Sequence, residues 1–482
     1  MKPIPVCPLI CCALLTLTAP LPAAEQNVFM SAEVDGVKAF LQDNFPPARS
    51  NACMVIGLID EQGSRAFGGG TLGDGADIRA DGETLFFIGS VSKTFTALLL
   101  QNLVEHGEVK LDDPVAKFLP ASVHVPSRNG REITLLDLAT HTGGFPMNPD
   151  NMSGATAKEQ YETYTVQKLY QFLSHYPLPR NPGTEFQYSN VGMALLGHVL
   201  ALKAQTNFES LVVNRICRPL GMQSTCINPP PELKARLAMA HDDAGRPSPP
   251  WKFQAYSPAG DIHSTANDLL KFVAAEAGLT ASPLTSSMAK TQEIRCRDSR
   301  GLPDVPGFGT FGRTAMDWVD RDAFQPPGMD LLGHAGGAGD YHAWIGFDKR
   351  QRRGVVVLST AGTFSVEAIG WTILQRLPLN RDSSRMIARE TVGLGFAFDR
   401  NAESQTLRIT KVFTNSPAAK AGLTVGLVLE SIDDVPTAGK TVAECLALLR
   451  TSHPGVRLRL IDQSRNETNT VEVTKGKFLI AG

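Results

Sequence analysis

Apolar positions in the first three quarters of the chain recur at two spacings, one typical of β-strands and one typical of α-helices. An apolar run at residues 52–63 predicts a first strand, and residues 342–360 predict two strands joined by a basic turn. Residues 85–109 predict a strand or turn that runs into a long helix, because Phe95, Leu98, Leu99 and Leu103 recur at helical spacing. Helical patterns also cover residues 135–146, 190–206, 265–278 and 368–377.

The pattern changes after this region. Residues 378–385 are polar and lack periodicity, which is typical of a linker. Residues 386–482 predict short strands, a glycine-rich loop and one helix. The chain of 482 residues therefore divides into a large mixed α/β domain and a smaller β-rich domain.

Composition adds little about partners, but the first residues are informative. The net charge is −2, from 46 basic and 48 acidic side chains, and indicates no nucleic-acid partner. Lys2 precedes the apolar run "VCPLICCALLTLTA", so residues 1–24 predict a signal peptide cleaved near Ala23 or Ala24. The run is shorter than the roughly 20 residues that span a bilayer. We expect a periplasmic or secreted protein without a membrane span.

The cysteines leave two alternatives open. Five of the eight follow the predicted signal peptide. Cys217 and Cys226 flank a short turn and are the best candidate pair for a disulfide, the alternative being buried free thiols. No spacing indicates a zinc site.

Ser90 and Lys93 are the first candidate for chemistry. At the start of a helix, residues i and i+3 share one face, so the lysine amine can approach the serine hydroxyl. The apolar residues before Ser90 supply the burial that lets a lysine act as a base. A second pair, Ser287 and Lys290, lies in a polar segment that indicates a loop, and we interpret it as a decoy.

Two further motifs carry polar groups. Tyr188 and Asn190 lead into the helix pattern at residues 190–206; the structural alternative is a packing residue and a helix cap. His334-Ala335-Gly336-Gly337 precedes a strand, and its glycines permit close approach of a ligand. A similar stretch at residues 141–144 indicates a helix-ending turn.

In this order, the motifs resemble those of the class C β-lactamase and penicillin-binding serine hydrolase family. The family includes D-Ala-D-Ala carboxypeptidases and family VIII esterases, and the resemblance covers roughly residues 28 to 380. It implies an antiparallel sheet flanked by helices, with an all-α lobe. The resemblance rests on five segments in family order: "SVSKTFTALLL", "LLDLATHTGGFP", "PGTEFQYSNVGMALLG", "RPLGMQST" and "AGDIHSTANDLLKF".

The resemblance implies a role for each motif. Ser90 would be acylated, Lys93 and Tyr188 would transfer protons, and Asn190 would orient the substrate amide. The backbone amides of Ser90 and Gly337 would form the oxyanion hole, with Gly336 next to it. The resemblance implies neither a metal nor an organic cofactor.

The third motif departs from the family pattern. Class C β-lactamases carry Lys-Thr-Gly where this chain has His334-Ala335-Gly336. An imidazole is mostly neutral at pH 7, so we expect weak recognition of a substrate carboxylate and doubt strong β-lactamase activity.

Residues 388–480 resemble a PDZ domain. The loop Gly393-Leu394-Gly395-Phe396 is followed at family spacing by "SPAAKAGL" and "GLVLESIDDVP". The resemblance implies that this loop captures the C-terminal carboxylate of a protein partner. Val442 would contact the third-last residue of that partner. The alternative is a PDZ fold that only packs against the catalytic domain.

Three functions stay open at this point. The first is an exported serine hydrolase that forms an acyl-enzyme on Ser90 with β-lactams or D-Ala-type peptides. The second is an esterase of the same fold, acting on small esters. The third is a non-catalytic envelope protein that binds through its PDZ-like domain, against which the intact Ser90, Lys93 and Tyr188 argue. Substrate identity, oligomeric state and the PDZ ligand do not follow from the sequence.

Overall fold

The computed structural model describes most of the chain between residues 29 and 480. The described ranges are 29–46, 52–73, 76–242, 246–295, 313–320, 328–362, 364–380, 389–394, 396–400, 406–412, 417–424, 426–440, 445, 448–449, 455–462, 467–474 and 476–480. The predicted signal peptide, residues 381–385 of the predicted linker, Gly395 and Val442 lie outside them.

A large antiparallel sheet organises the first region. Within the described ranges its strand order is β10-β11-β12-β13-β14-β1-β2-β3. The strands of this region are β1 (Cys53–Asp60), β2 (Gly63–Gly73), β3 (Ala76–Arg79), β4 (Leu85–Phe87), β5 (Ser127–Arg128), β6 (Arg131–Glu132), β7 (Ala240–His241), β8 (Pro247–Ser248), β9 (His263–Thr265), β10 (Arg313–Thr314), β11 (Val319–Asp320), β12 (Leu331–Ala338), β13 (Tyr341–Asp348) and β14 (Arg353–Ser359).

Both faces of this sheet are covered, which explains why its central strands are apolar throughout. Strand β1 is fully buried, and its alternate residues enter different clusters. Met54 and Ile56 pack with the first and last helices of this region, Ser31–Asn44 and Val366–Leu374. Val55 packs on the opposite face, in the cluster that holds the remaining helices. Side chains of a strand alternate between faces, so one apolar run serves two layers.

The other helices of the first region form the second layer and a helical lobe. The three longest are buried on most sides, whereas Val166–His175 buries one side through Leu169, Phe172 and Leu173. They are Ser92–Glu105, Leu135–Ala139, Ala157–Glu162, Val166–His175, Asn190–Lys203, Phe208–Val212, Pro231–Lys234, Ser257–Gly260, Ala266–Glu276 and Thr285–Thr291.

The C-terminal region is rich in β-strands and has a separate buried cluster. Strands β16, β17, β18, β20 and β21 follow one another across one sheet, β19 pairs with β18, and β15 pairs with β22. Their bounds are β15 (Arg389–Gly393), β16 (Phe396–Arg400), β17 (Leu407–Val412), β18 (Val428–Ile432), β19 (Val435–Pro436), β20 (Gly455–Asp462), β21 (Glu467–Thr474) and β22 (Gly476–Ile480), with a short helix at Pro417–Lys420.

The glycine-rich loop of this region connects β15 to β16. Gly393 ends the first of these strands and Phe396 begins the second. The side chain of Leu394 is buried in the local cluster, and its carbonyl accepts a hydrogen bond from the backbone of Ala418 at 2.8 Å. Leu394 therefore helps to hold the loop on the body of the region.

The sequence-based elements of the first region match the structure closely, with one error. The helix pattern at residues 265–278 is confirmed as the helix Ala266–Glu276, whose N-cap Thr265 accepts from the backbone of Asp268. The predicted loop around Ser287 is wrong, because residues 285–291 form a helix that buries Ser287, Met288 and Thr291.

Four cysteines lie within the described residues, and none of them forms a disulfide. Cys53, Cys217, Cys226 and Cys445 are free thiols there, so Cys217 and Cys226 are not bonded. Among the described helices, none is long and apolar enough to cross a membrane.

Candidate active site

Ser90 lies on a short buried turn between a strand and a long helix. Strand β4 pairs with β9, and the 3₁₀ turn Gly89–Val91 then leads into the helix Ser92–Glu105. Gly89 has φ of +52°, a conformation that favours glycine. The turn leaves Ser90 only 7% exposed at the amino end of the helix.

Lys93 is fully buried against this serine. Its Nζ donates to Ser90 Oγ at 2.8 Å and to the carbonyl of Ala259 at 2.6 Å. Burial lowers the pKa of Lys93 to about 7, although the negative charge of Asp317 opposes that shift. A neutral amine near pH 7 can take a proton from the adjacent hydroxyl.

Tyr188 lies over Lys93. Its ring centroid is 5.0 Å from Lys93 Nζ, and the residue is 3% exposed. Burial raises the pKa of Tyr188 well above its ordinary value, and the charge of Asp317 adds to this, whereas a hydrogen bond with Ser90 opposes it. The phenol therefore stays protonated and can return a proton.

The helix start after Tyr188 fixes this arrangement. The N-cap is Ser189, whose hydroxyl accepts from the backbone of Gly192 at 2.9 Å and donates to the carbonyl of Pro146 at 2.7 Å. Asn190 is therefore the first residue of the helix and not its cap. Its Nδ2 lies 3.3 Å from Asn148 Oδ1 and 3.3 Å from the hydroxyl of Tyr161.

The third motif approaches the serine turn through glycine backbone. A Cβ atom on Gly336 would lie 2.1 Å from the carbonyl oxygen of Ile88 and 3.0 Å from the amide of Ser90. A Cβ atom on Gly89 would lie 2.7 Å from the amide of Gly337. Side chains at either glycine would push β12 away from the turn, so this contact needs both.

A buried carboxylate joins two histidines beside these residues. His141 Nε2 lies 2.9 Å from Asp317 Oδ1, and His334 Nε2 lies 3.6 Å from the same oxygen. Burial favours the neutral acid, but the interactions with His141 and then His334 outweigh it and hold the pKa of Asp317 below its ordinary value. The ring centroid of His141 lies 4.6 Å from that of Tyr188.

Asp317 and the contacts of the His141 ring with the site could not be recognised from the sequence. His141 does follow a helix end, with φ of +57°, but its ring also accepts from the backbone amide of Ser189 at 3.2 Å. Asp317 is 176 residues away from His141 in the chain. No local pattern marks it, and only its position in the fold brings it to the site.

The structure separates the decoy pair from this site. Ser287 Oγ donates to a carboxylate oxygen of Glu105, and Lys290 Nζ pairs with Glu293 at 2.7 Å. Ser90, Lys93, Tyr188 and the third motif are brought together instead. A hydroxyl with a buried amine, a buried phenol and converging backbone amides suits covalent acyl transfer.

Comparisons with known proteins agree with this geometry. Residues 41–377 match the beta-lactamase family model. The chain is 33% identical over 199 residues to D-alanyl-D-alanine-carboxypeptidase/endopeptidase AmpH of Escherichia coli K12, covering 41% of this chain and 50% of that relative. It spans about half the length of the curated relatives it matches.

Solved structures match over a larger part of the chain. D-alanine carboxypeptidase AmpC from Burkholderia cenocepacia is 25% identical, with a TM-score of 0.57, over 72% of this chain and 99% of that one. The beta-lactamase/D-alanine carboxypeptidase from Yersinia pestis, at 23% identity, has a TM-score of 0.58 over 68% of this chain and 92% of that one. The second match supports the fold alone.

The buried amine predicts a pH dependence. We expect kcat/KM for a neutral ester to rise with pH through about 7, because Lys93 must lose its proton to act as a base. Asp317→Asn should move this rise to lower pH, because the charge of Asp317 raises the pKa of Lys93. A pH–rate profile of both proteins measures it.

The control is Asp268→Asn, which alters a buried carboxylate that bonds Ser224, Thr225 and Lys271 instead of the site. Its profile should match the wild type. A profile without a rise near pH 7, or one that moves to higher pH in Asp317→Asn, would contradict the assignment.

Proposed function

Because the chain belongs to the beta-lactamase family, we propose that it is a serine acyl hydrolase that forms an acyl-enzyme on Ser90. The observation that carries the proposal is the 2.8 Å contact between Lys93 Nζ and Ser90 Oγ inside a buried site. A charged lysine is costly to bury, and this one is held where its neutral amine can activate the serine.

The proposed reaction proceeds in two steps. Ser90 Oγ attacks the substrate carbonyl and passes its proton to Lys93, while the oxyanion meets the backbone amides of Ser90 and Gly337. Tyr188 gives its proton to the leaving group as the bond to that group breaks, and Lys93 passes the proton from Ser90 on to Tyr188. Water then attacks the acyl-enzyme and gives a proton to these two residues, which return it to Ser90 Oγ as the acyl bond breaks. Asn190, with Asn148 and Tyr161 beside it, would orient an amide on the acyl side.

The substrates we propose are D-Ala-type peptides or β-lactams. The names of the matched proteins motivate this class, since one is a D-alanyl-D-alanine-carboxypeptidase/endopeptidase and another is penicillin-binding protein 4 of Amycolatopsis lactamdurans. A second candidate is the hydrolysis of small esters. The observation in its favour concerns His334. A fixed cation at this position would bind a carboxylate-bearing substrate, but this chain has a histidine there that lies beside the carboxylate of Asp317.

A purely binding function fits the site less well. Ser90, Lys93 and Tyr188 are all buried and in contact, and a protein without catalysis has no need to bury an amine against a hydroxyl.

We also propose that residues 1–24 direct export and are removed near Ala23 or Ala24. The intact mass of the processed protein tests this: retention of residues 1–24 would argue against it.

For the C-terminal region we propose a PDZ-like peptide site that recruits a protein partner. The support is a β-rich unit with its own buried cluster and a loop at Gly393–Phe396 between two strands. The family match ends at residue 377, before this region. Peptide capture by a strand edge and loop amides requires a free carboxylate.

Ser90 should carry the covalent adduct. A fluorophosphonate or a penicillin should label the peptide that contains Ser90, as measured by mass spectrometry of the digested protein. Ser90→Ala should abolish labelling, because no other described serine has a buried lysine amine on its hydroxyl.

Ser287→Ala is the matched control, since Ser287 has the same spacing to a lysine but contacts Glu105. It should label like the wild type. Labelling that persists in Ser90→Ala, or that maps to Ser287, would refute the assignment.

The PDZ-like region should bind peptides with an apolar C-terminal end. We expect full-length protein to bind such a peptide in a fluorescence anisotropy titration, and an apolar residue to be preferred at the third-last position, because Val442 offers no hydrogen bond. The same peptide with an amidated C-terminus should not bind. Equal binding of the two forms would exclude carboxylate capture.

A further inference from the structure

The carboxylate of Asp317 is a buried anion at the edge of the proposed catalytic site. Asp317 is 4% exposed, and its ion pairs within the described residues are with His141 and His334. Its second oxygen and Nδ1 of His334 are buried and have no hydrogen-bond partner in the described part of the chain.

His141 does not cancel this negative charge. Its Nδ1 accepts the backbone N–H of Ser189 at 3.2 Å, so its proton is on Nε2, which donates to Asp317 at 2.9 Å. A histidine that accepts through one nitrogen and donates through the other is neutral. Of the two histidines, His334 is therefore the one that can offset the negative charge of Asp317 by taking up a proton.

His334 cannot make this pair positive. If His334 is protonated, its positive charge and the negative charge of Asp317 sum to zero. If it is neutral with its proton toward Asp317, the pair carries one negative charge, and its Nδ1 is a hydrogen-bond acceptor. A carboxylate oxygen, which only accepts, finds no net positive charge in either state.

The charge of Asp317 also reaches the reacting groups. It raises the pKa of Lys93 and that of Tyr188, the two groups that approach the Ser90 hydroxyl. Strand β12 carries His334 and, two residues later, Gly336 beside the amide of Ser90. A substrate group that leaves toward β12 therefore lies close to Asp317.

We propose that Asp317 is a specificity-determining residue that selects against a carboxylate on the leaving-group side of the substrate. Neutral esters and amides are then preferred over β-lactams and over peptides that end in a free carboxylate. The inference rests on the proposed acyl transfer at Ser90. Of the substrate classes proposed above, it favours small neutral esters over β-lactams and over D-Ala-type peptides that end in a free carboxylate.

Two esters that differ in this charge and in one methyl group test the proposal. Both have phenylacetylglycine as the acyl group. One has 3-hydroxybenzoate as the leaving group and the other has methyl 3-hydroxybenzoate. The ratio of their kcat/KM values cancels effects on the shared chemistry, including any change in Lys93. A like charge about 6 Å away in a partly buried site changes this ratio by roughly 10- to 100-fold.

The wild type should prefer the neutral ester. Asp317→Asn, which keeps an oxygen for His141, should shift the ratio toward the carboxylate ester by at least roughly tenfold. Asp268→Asn, the remote buried carboxylate, should leave the ratio unchanged. A wild type that prefers the carboxylate ester would overturn the proposal. So would an unchanged ratio in an Asp317→Asn protein that still accepts the fluorophosphonate.

A measurement on the wild type covers the case in which Asp317→Asn does not fold. Phenylboronic acid should inhibit ester hydrolysis at least roughly tenfold more strongly than 3-carboxyphenylboronic acid. Equal or stronger inhibition by the carboxylated compound would overturn the charge selection. Loss of both ester turnover and the Ser90 adduct would overturn the proposed function, and this inference with it.

Discussion

The contact between the Lys93 amine and the Ser90 hydroxyl is the constraint on which the rest of the site depends. Removing a charged ammonium from water is costly, so full burial favours the neutral amine. The protein holds that amine with two oxygens, those of Ser90 and Ala259, instead of a directly bonded carboxylate. The nearby charge of Asp317 opposes the shift and leaves the pKa of Lys93 at about 7.

The scaffold has to bring backbone very close to this contact. The serine turn must meet strand β12 without intervening side chains, and Gly89 and Gly336 both occupy positions where a Cβ atom would overlap backbone. Packing at this density makes such a contact either fully formed or lost. The two apolar clusters on either side of the sheet hold β12 and the serine helix in register.

Much of this could be predicted from the sequence because the signals are local. The periodicity of residues 85–109 predicts the helix that starts just after Ser90, and the spacing of Ser90 and Lys93 predicts that they share a face. Tyr188 and the third motif needed the family resemblance, since neither is distinctive alone. The helix at residues 285–291 escaped prediction because its buried face is mostly polar, with Ser287 and Thr291 satisfied by hydrogen bonds.

Asp317 and its two histidines could not be predicted, because their association is a consequence of chain topology. The most direct test of the account is the acylation rate of Lys93→Ala in a stopped-flow measurement with a chromogenic ester. We expect a loss of roughly 10²–10⁴-fold with the melting temperature maintained, since one proton-transfer group is removed. Acylation at the wild-type rate would contradict the central claim that the buried amine activates Ser90.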